Sequence, residues 1–230
     1  MSKQIPSLVA QIEQVLLPTV SIQSVCHHDP VQVRQIPTPW YLVGTGNYAA
    51  VFGHPDHPTL VVKIYASNRP GFEEEVEVYQ RLGSHPAYSQ CYWAKNGVLI
   101  LKRLDGITFY DCLHRGLRIP PQVIRDIDLA LEYARTRGLR PHDVHGRNVM
   151  MHEGRGLVVD ISDFLHEDYC SLWDDLKRVY RYFYRPILSW MPIRFPYVML
   201  DAVRATYRFY RRCGRWIKRA RNPQSLPIRQ

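Results

Sequence analysis

Short apolar runs bounded by turn residues fill the first half of the chain, which is the pattern of buried β-strands. They predict strands at 40–43, 49–52, 60–65 and 98–104. A helical period replaces this pattern between the last two runs, because apolar side chains there recur every three or four residues. The stripe that predicts this helix consists of Phe72, Val76, Tyr79 and Leu82. The first half is therefore expected to be a sheet with one helix.

A short amphipathic helix is predicted ahead of these strands, at 6–17. Its apolar side contains Leu8, Ile12 and Leu16. Four prolines then predict an irregular or extended connection, because proline lacks the backbone N–H that regular elements use. These prolines are Pro18, Pro30, Pro37 and Pro39.

Helical periodicity dominates the second half. Pro120-Pro121 begins a predicted helix that ends at Gly138. Its apolar face consists of Val123, Ile127, Ala130 and Ala134. A short strand is predicted at 157–159, and the chain from Ser171 onward is expected to be mostly helical. Strands followed by helices predict an α+β fold of two lobes with a boundary near Leu104-Asp105.

Composition excludes several classes of protein. With 46% hydrophobic and 22% charged residues in 230, the chain can bury a core without disulfides. The five cysteines are scattered and form no Cys-x-x-Cys pair, so neither a disulfide framework nor a zinc cage is indicated. No signal peptide is recognisable, and no apolar run approaches the roughly 18 residues of a transmembrane segment. A cytoplasmic protein is expected.

The formal charge of +9 favours anionic partners such as nucleotides, nucleic acids or lipid head groups. From residue 199 onward a predicted helix separates a basic face from an apolar one. The basic face contains Arg204, Arg208, Arg211, Arg215, Lys218 and Arg219. This helix either closes the fold or offers a surface to RNA or an anionic membrane. The contiguous Cys26-His27-His28-Asp29 is interpreted as a loop rather than a metal site.

Candidate chemistry begins with the segment from Gly44 to Val51 between two predicted strands. Glycines allow backbone amides to approach phosphate oxygens, although an ordinary hairpin turn fits the same pattern. Lys63 lies within the next apolar strand, where a lysine needs a partner unless it faces solvent. Glu75, beside the apolar stripe of the following helix, is the candidate partner.

A second polar segment is Asp143-Val144-His145-Gly146-Arg147-Asn148. Phosphoryl transfer requires a carboxylate to position the attacking hydroxyl and oxygen ligands for magnesium. Asp143 could supply the carboxylate, while Asn148 and Asp160, at the end of a short strand, could hold the metal. The alternative interpretation is a polar loop that caps a helix.

In order and spacing these elements resemble the protein-kinase-like superfamily over residues 40 to 185. The chain as a whole is most similar to short bacterial serine/threonine kinases. Its Asp-x-His-x-x-Asn loop is more like those of atypical (RIO-like) and small-molecule kinases such as aminoglycoside kinases, because typical protein kinases carry lysine at the position of His145. The resemblance implies a small β-rich N-lobe and a minimal, mainly helical C-lobe.

The resemblance also implies that ATP and Mg²⁺ are cofactors. Asp143 would be the catalytic base, Lys63 would contact the nucleotide phosphates and Glu75 would brace it. The residues implied to bind nucleotide are Gly44, Gly46, Val51, Lys63, Lys102 and Leu104, and those implied to hold magnesium are Asn148 and Asp160. The implied organisation is an N-terminal extension (1–39), an N-lobe (40–104), a C-lobe (105–198) and a basic helix and tail (199–230).

Some features depart from the family pattern. Few residues separate Asp163 from Trp173, so there is no room for a long peptide-docking activation segment. Both Asp160 and Asp163 fit the second metal ligand, and Asp160 is preferred because it directly ends an apolar strand. Asp175 resembles the buried aspartate that anchors the catalytic loop.

Three functions stay open. The first is a serine/threonine protein kinase. The second is a kinase for a small-molecule hydroxyl. The third is a nucleotide-binding ATPase or inactive switch with a partner on its basic helix.

Overall fold

The computed structural model describes residues 4–25, 29–191, 193–207 and 209. None of the helices within these ranges is long and apolar enough to cross a membrane. Two sequence predictions lie outside the described residues. They concern Cys26, His27 and His28, and all members of the basic helix face except Arg204.

The described residues form ten strands: β1 (Ser21–Gln23), β2 (Gln32–Arg34), β3 (Tyr41–Thr45), β4 (Ala49–Gly53), β5 (Leu60–Tyr65), β6 (Cys91–Lys95), β7 (Val98–Lys102), β8 (Ile107–Thr108), β9 (Val149–His152) and β10 (Arg155–Val158). The chain also forms the α-helices α1 (Gln4–Gln11), α2 (Leu17–Thr19), α3 (Phe72–Leu82), α4 (Phe109–Arg115), α5 (Pro121–Thr136) and α6 (Leu172–Val179). Two π-helical segments are Ile12–Leu16 and Tyr180–Leu188. A further helix spans 197–207 and is called the C-terminal helix.

The N-lobe is built on a five-stranded antiparallel sheet in the order β3-β4-β5-β7-β6. Its central strands have continuous apolar sequences because both faces of the sheet are covered. Leu99 packs on the side of α3 with Val78 and Leu82, whereas Ile100 packs on the opposite side in the cluster that contains Leu8. Alternate residues of one strand thus enter two separate cores.

The N-terminal segment covers the outer face of this sheet. Leu8, Ile12 and Leu16 are all buried there, as their spacing predicts. The expectation of an irregular or extended connection was wrong at Pro18, which lies within α2. Further along, the extended strands β1 and β2 form a small antiparallel sheet. These three-residue strands are only partly buried and carry no apolar run that would reveal them.

The C-lobe is organised around α5, which packs against the β9–β10 hairpin. Gly156 on β10 lies so close to α5 that an added Cβ would come within 2.4 Å of the Val123 carbonyl oxygen. Asp126 of α5 accepts hydrogen bonds from the Gly156 N–H at 3.1 Å and from Arg155 Nε at 2.7 Å. These contacts fix the hairpin that connects the two ends of the candidate site.

The C-terminal helix docks on α4 through a cluster of rings. Tyr197 stacks on His114 with ring centroids 3.7 Å apart, and its hydroxyl donates a 2.9 Å hydrogen bond to Asp111. The connection from β10 to α6 covers only residues 159–171. A long activation segment is therefore absent from this fully described part of the chain.

Candidate active site

Lys63 and Glu75 form a buried ion pair between β5 and α3. Lys63 Nζ donates a 2.8 Å hydrogen bond to Glu75 Oε1 and lies 2.7 Å from Oε2. Glu75 is 1% exposed and also accepts a hydrogen bond from the hydroxyl of Tyr65, two residues beyond Lys63 on the same face of β5. The helical period places Glu75 beside the apolar stripe of α3, so its side chain faces inward.

Asp160 is the other carboxylate beside Lys63, with 3.8 Å between Lys63 Nζ and Asp160 Oδ1. Burial by itself would lower the pKa of Lys63, but the charges of Glu75 and Asp160 outweigh it and raise the pKa. Burial would also raise the pKa of Asp160, yet Lys63 and two hydrogen bonds from Ser162 hold it below its usual value. Asp160 is therefore ionised at neutral pH.

The catalytic-loop candidates lie in the loop between α5 and β9. Asp143 has a left-handed backbone with φ of +53°. Asn148 Nδ2 donates a 3.0 Å hydrogen bond to the Asp143 carbonyl oxygen, and the Val159 N–H donates to the Asn148 carbonyl at 2.9 Å. Through these two bonds the loop is tied to the residue that precedes Asp160.

Asp143 faces a polar neighbourhood of mixed charge. Burial raises its pKa, the nearby His145 opposes this rise, and the negative charges of Asp163 and Asp160 add to it. His145 Nε2 lies 3.6 Å from Asp143 Oδ2, but burial lowers the pKa of this histidine and favours its neutral form. Asp143, Asp160 and Asp163 thus share one electrostatic environment.

The glycine segment forms the hairpin between β3 and β4, in which the Gly46 N–H donates a 2.8 Å hydrogen bond to Ala49 O. A Cβ added to Gly44 would meet nothing within 4 Å, and one added to Gly46 would meet only Ala49 O at 3.7 Å. Neither glycine has a positive φ. Internal packing therefore does not require glycine here. Val51 pairs with Lys63 across β4 and β5, so their side chains share one face.

The segment after β7 is partly engaged in the fold. The Lys102 N–H donates to Gln90 O at 2.8 Å, and the Lys102 carbonyl accepts a 2.7 Å bond from Ser89 Oγ. In the part of the chain that the structure describes, the backbone N–H of Leu104 donates no hydrogen bond. Leu104 thus keeps an unused donor at the junction of the lobes, whereas Lys102 keeps only the second lone pair of its carbonyl.

The expectation for Asp175 was wrong. Its carboxylate accepts from Ser171 Oγ at 2.9 Å and from the Tyr207 hydroxyl at 2.6 Å, and it pairs with Arg178 at 3.0 Å. None of these groups belongs to the catalytic loop. Asp175 instead fastens the C-terminal helix to α6, because it lies on the side of α6 that this helix covers.

Sequence reasoning missed the contacts that the C-terminal helix makes with the catalytic loop. Arg147 Nη2 donates a 2.8 Å hydrogen bond to Asp201 Oδ1, and the Tyr110 hydroxyl donates to the same oxygen at 2.5 Å. The Arg147 guanidinium lies over the Tyr110 ring, 4.1 Å from its centroid. No local signal could have revealed an ion pair between residues 54 positions apart.

The residues at this site fit a magnesium ion. Asp160 Oδ1 accepts from Ser162, which leaves Oδ2 for a cation, and the bond from Asn148 Nδ2 to Asp143 turns the amide oxygen of Asn148 the other way. Within the described residues, no group of three or more His, Cys, Asp or Glu side chains could hold a metal. Magnesium commonly takes one or two carboxylates together with phosphate and water oxygens, which is the kind of donor set that Asp160 and Asn148 offer.

Comparison with known proteins identifies the family. No family model matches the chain. The protein named "Putative serine/threonine-protein kinase YrzF" from Bacillus subtilis (strain 168) is 30% identical over 171 residues, which cover 73% of this chain and 78% of that protein. The PknI kinase domain of Mycobacterium tuberculosis matches with a TM-score of 0.42 and 21% identity over 61% of this chain, and the chain covers 63% of that domain. On the strength of the similarity to YrzF, the chain belongs to the protein-kinase-like superfamily of phosphotransferases.

Proposed function

We propose that this protein is an ATP- and magnesium-dependent serine/threonine protein kinase in which Asp143 is the catalytic base. The observation that carries the proposal is the position of Lys63 Nζ, 2.7 Å from Glu75 and 3.8 Å from Asp160. A lysine held at this point between two carboxylates keeps its charge and can contact nucleotide phosphates. The YrzF relative carries the serine/threonine-kinase name and supports the choice of acceptor.

Nucleotide binding would use both ends of the cleft. Gly44 and Gly46 leave space for phosphates against the backbone of the β3–β4 hairpin, and Val51 would contact the base beside Lys63. Leu104 offers an unused N–H to the adenine edge, and the carbonyl of Lys102 offers its second lone pair. The open positions at the two glycines and the unused backbone groups of Leu104 and Lys102 support the proposed nucleotide site.

Asn148 and Asp160 would hold magnesium, which neutralises the phosphate charge when bound. Asp160 is preferred to Asp163 because it contacts Lys63, whereas Asp163 pairs with His166 at 3.3 Å. Asp143 would accept the proton of the attacking hydroxyl. Its raised pKa favours this role, because a base works best when its pKa approaches the working pH.

The test is phosphoryl transfer from labelled ATP to the protein itself and to a peptide panel. Asp143→Asn should lower the rate by roughly 10²- to 10⁴-fold while thermal stabilisation by magnesium and ATP persists. Asp56→Asn, a change at an exposed turn of the N-lobe, is the control and should be as active as the wild type. If Asp143→Asn transfers phosphate at the wild-type rate, Asp143 is not the base.

A small-molecule acceptor is the second candidate. It is supported by the short connection between β10 and α6 and by the C-terminal helix fastened to Arg147, because the described C-lobe thus contains no long segment to hold a peptide. Transfer to aminoglycosides, sugars or choline-like alcohols, with none to peptides, would select this alternative. Magnesium-dependent ATP binding without transfer to any acceptor would instead indicate a nucleotide-binding switch.

We also propose that the N-terminal extension, N-lobe, C-lobe and basic tail span 1–39, 40–104, 105–198 and 199–230. The C-terminal helix begins at 197, close to the last of these limits. An RNA or anionic-membrane partner for the basic C-terminal residues is likewise a proposal. A second basic surface lies on the C-lobe.

A further inference from the structure

A groove of about 510 Å³ lies on the C-lobe between the start of α5 and the π-helical segment Tyr180–Leu188. Its lining includes three arginines, Arg118, Arg181 and Arg185, and no acidic residue. Aromatic walls come from Tyr182 and Trp190. The groove belongs to neither the nucleotide cleft nor the catalytic loop.

The three arginines are not neutralised by any described carboxylate. Within the described residues, none of their guanidinium groups has a carboxylate within 4.0 Å. The neighbouring carboxylates of Asp128 and Asp174 are engaged by Lys177 at 2.9 and 3.4 Å. Three like charges around one groove repel one another, so a bound anion would stabilise this arrangement.

Large apolar side chains are also exposed along and just beyond the π-helical segment, and one of them, Trp190, lines the groove. Trp190 is 78% exposed, Phe183 62% and Ile187 55%, whereas the opposite side of the same segment is anchored inward. There the Tyr180 hydroxyl donates to Ile119 O and the Tyr184 hydroxyl accepts from the Ile119 N–H, both at 2.9 Å. The segment is therefore attached to Ile119, just ahead of α5, while its exposed side chains are basic and apolar.

We propose that this face binds the surface of an anionic phospholipid bilayer. Head-group phosphates would lie against Arg118, Arg181 and Arg185, and Phe183, Ile187 and Trp190 would enter the interface between head groups and acyl chains. Tryptophan and arginine beside aliphatic side chains are the composition of interfacial membrane contacts. Residues 210–230 contribute seven further Lys and Arg and no acidic residue, which adds attraction of the same sign.

Other occupants fit the surface less well. RNA could stack on the aromatic rings and pair with the arginines, but the exposed Ile187 would gain nothing from such a contact. A second copy would bring the same three arginines against themselves across a two-fold interface, which is electrostatically unfavourable. The lipid surface satisfies both the charge and the apolar side chains.

The first experiment is sedimentation of the full-length protein with phosphatidylcholine vesicles, with and without phosphatidylglycerol. Binding is expected only to the anionic vesicles and should weaken as salt is added. Neutralising two residues in Arg181→Gln/Arg185→Gln should weaken binding roughly thirtyfold at low salt, since each basic residue near an anionic surface contributes about fivefold. Arg34→Gln/Lys95→Gln removes the same charge from exposed strand positions outside the C-lobe and should bind like the wild type.

The second experiment locates the contact. Brominated phosphatidylglycerol vesicles should quench part of the tryptophan fluorescence, and Trp190→Phe should bind equally while losing that part. The proposal is overturned by equal loss of binding in the two double variants, by unchanged quenching in Trp190→Phe, or by RNA binding or dimerisation without vesicle binding. Phosphotransferase activity is measured separately, so failure of this proposal leaves the proposed function untouched.

Discussion

The buried pair of Lys63 and Glu75 makes opposite predictions for stability and for activity, which a double-mutant cycle separates. The variants are Lys63→Met, Glu75→Gln and the combination of both. Each single change leaves one ionised group in a largely buried position, because the side chain of Lys63 is only 14% exposed and that of Glu75 only 2%. The double change removes both charges.

Removing one partner of a buried pair costs about 3–5 kcal/mol in free energy of unfolding. Glu75→Gln should lower the free energy of unfolding by about 3 kcal/mol, because Asp160 stays 3.8 Å from Lys63 and partly compensates its charge. Lys63→Met should cost about 4 kcal/mol, because only the Tyr65 hydroxyl then remains among the two groups that donate to Glu75. The double variant should lose only about 3 kcal/mol, since no buried charge is left unpaired.

The assay is urea unfolding at neutral pH, with the dependence on urea concentration compared among the four proteins. Each single variant should also unfold roughly 10 °C below the wild type for a chain of this size. Activity should not recover in the double variant, because the ammonium that contacts phosphate is missing. If the double variant loses the sum of the single losses within about 0.5 kcal/mol, the two side chains are not coupled and this reasoning fails.

Three further predictions concern the C-lobe. Arg155 is the main cause that holds the pKa of Asp126 below its usual value. This stabilisation is present above the unfolded pKa and is lost as the pH falls through the lower folded pKa. At pH values below about 4, the free energy of unfolding should therefore decrease more steeply for the wild type than for Asp126→Asn. Gly156→Ala should lose about 1–3 kcal/mol in urea unfolding, because its Cβ would meet a carbonyl of α5 at 2.4 Å; a wild-type midpoint would contradict the packing. Asp201→Asn should change unfolding by less than about 1 kcal/mol, because its bond to Arg147 is exposed, yet alter kcat; unchanged kinetics would exclude a positioning role for the C-terminal helix.

Periodicity located the elements that carry a continuous buried stripe. The strand Leu60–Tyr65 has the predicted bounds, and the helix Phe72–Leu82 contains the predicted stripe, because apolar positions follow from which face is buried. Patterning missed β6 and α4. The strand Cys91–Lys95 is only half-buried, and the seven-residue helix Phe109–Arg115 is too short to show a period.

The sequence by itself also determined which groups of the candidate site could cooperate locally. Asp143 and Asn148 occur in one loop, and Asp160 follows the next hairpin, so their proximity depends on short-range geometry. Lys63 and Glu75 are only twelve residues apart on adjacent elements, and the need to pair a buried lysine predicts their contact.

Only the tertiary structure decided what surrounds that site. The local sequences around Asp175 and Asp201 do not indicate which groups their carboxylates bind. In the fold, Asp175 accepts a hydrogen bond from Tyr207 and Asp201 accepts one from Arg147. The exposed arginines of the groove come from two segments that are distant in sequence, with Arg118 before α5 and Arg181 beyond α6, so only the fold brings them together. Side-chain periodicity encodes which face of an element is buried, but not which neighbour covers it, because that choice depends on the packing of the whole chain.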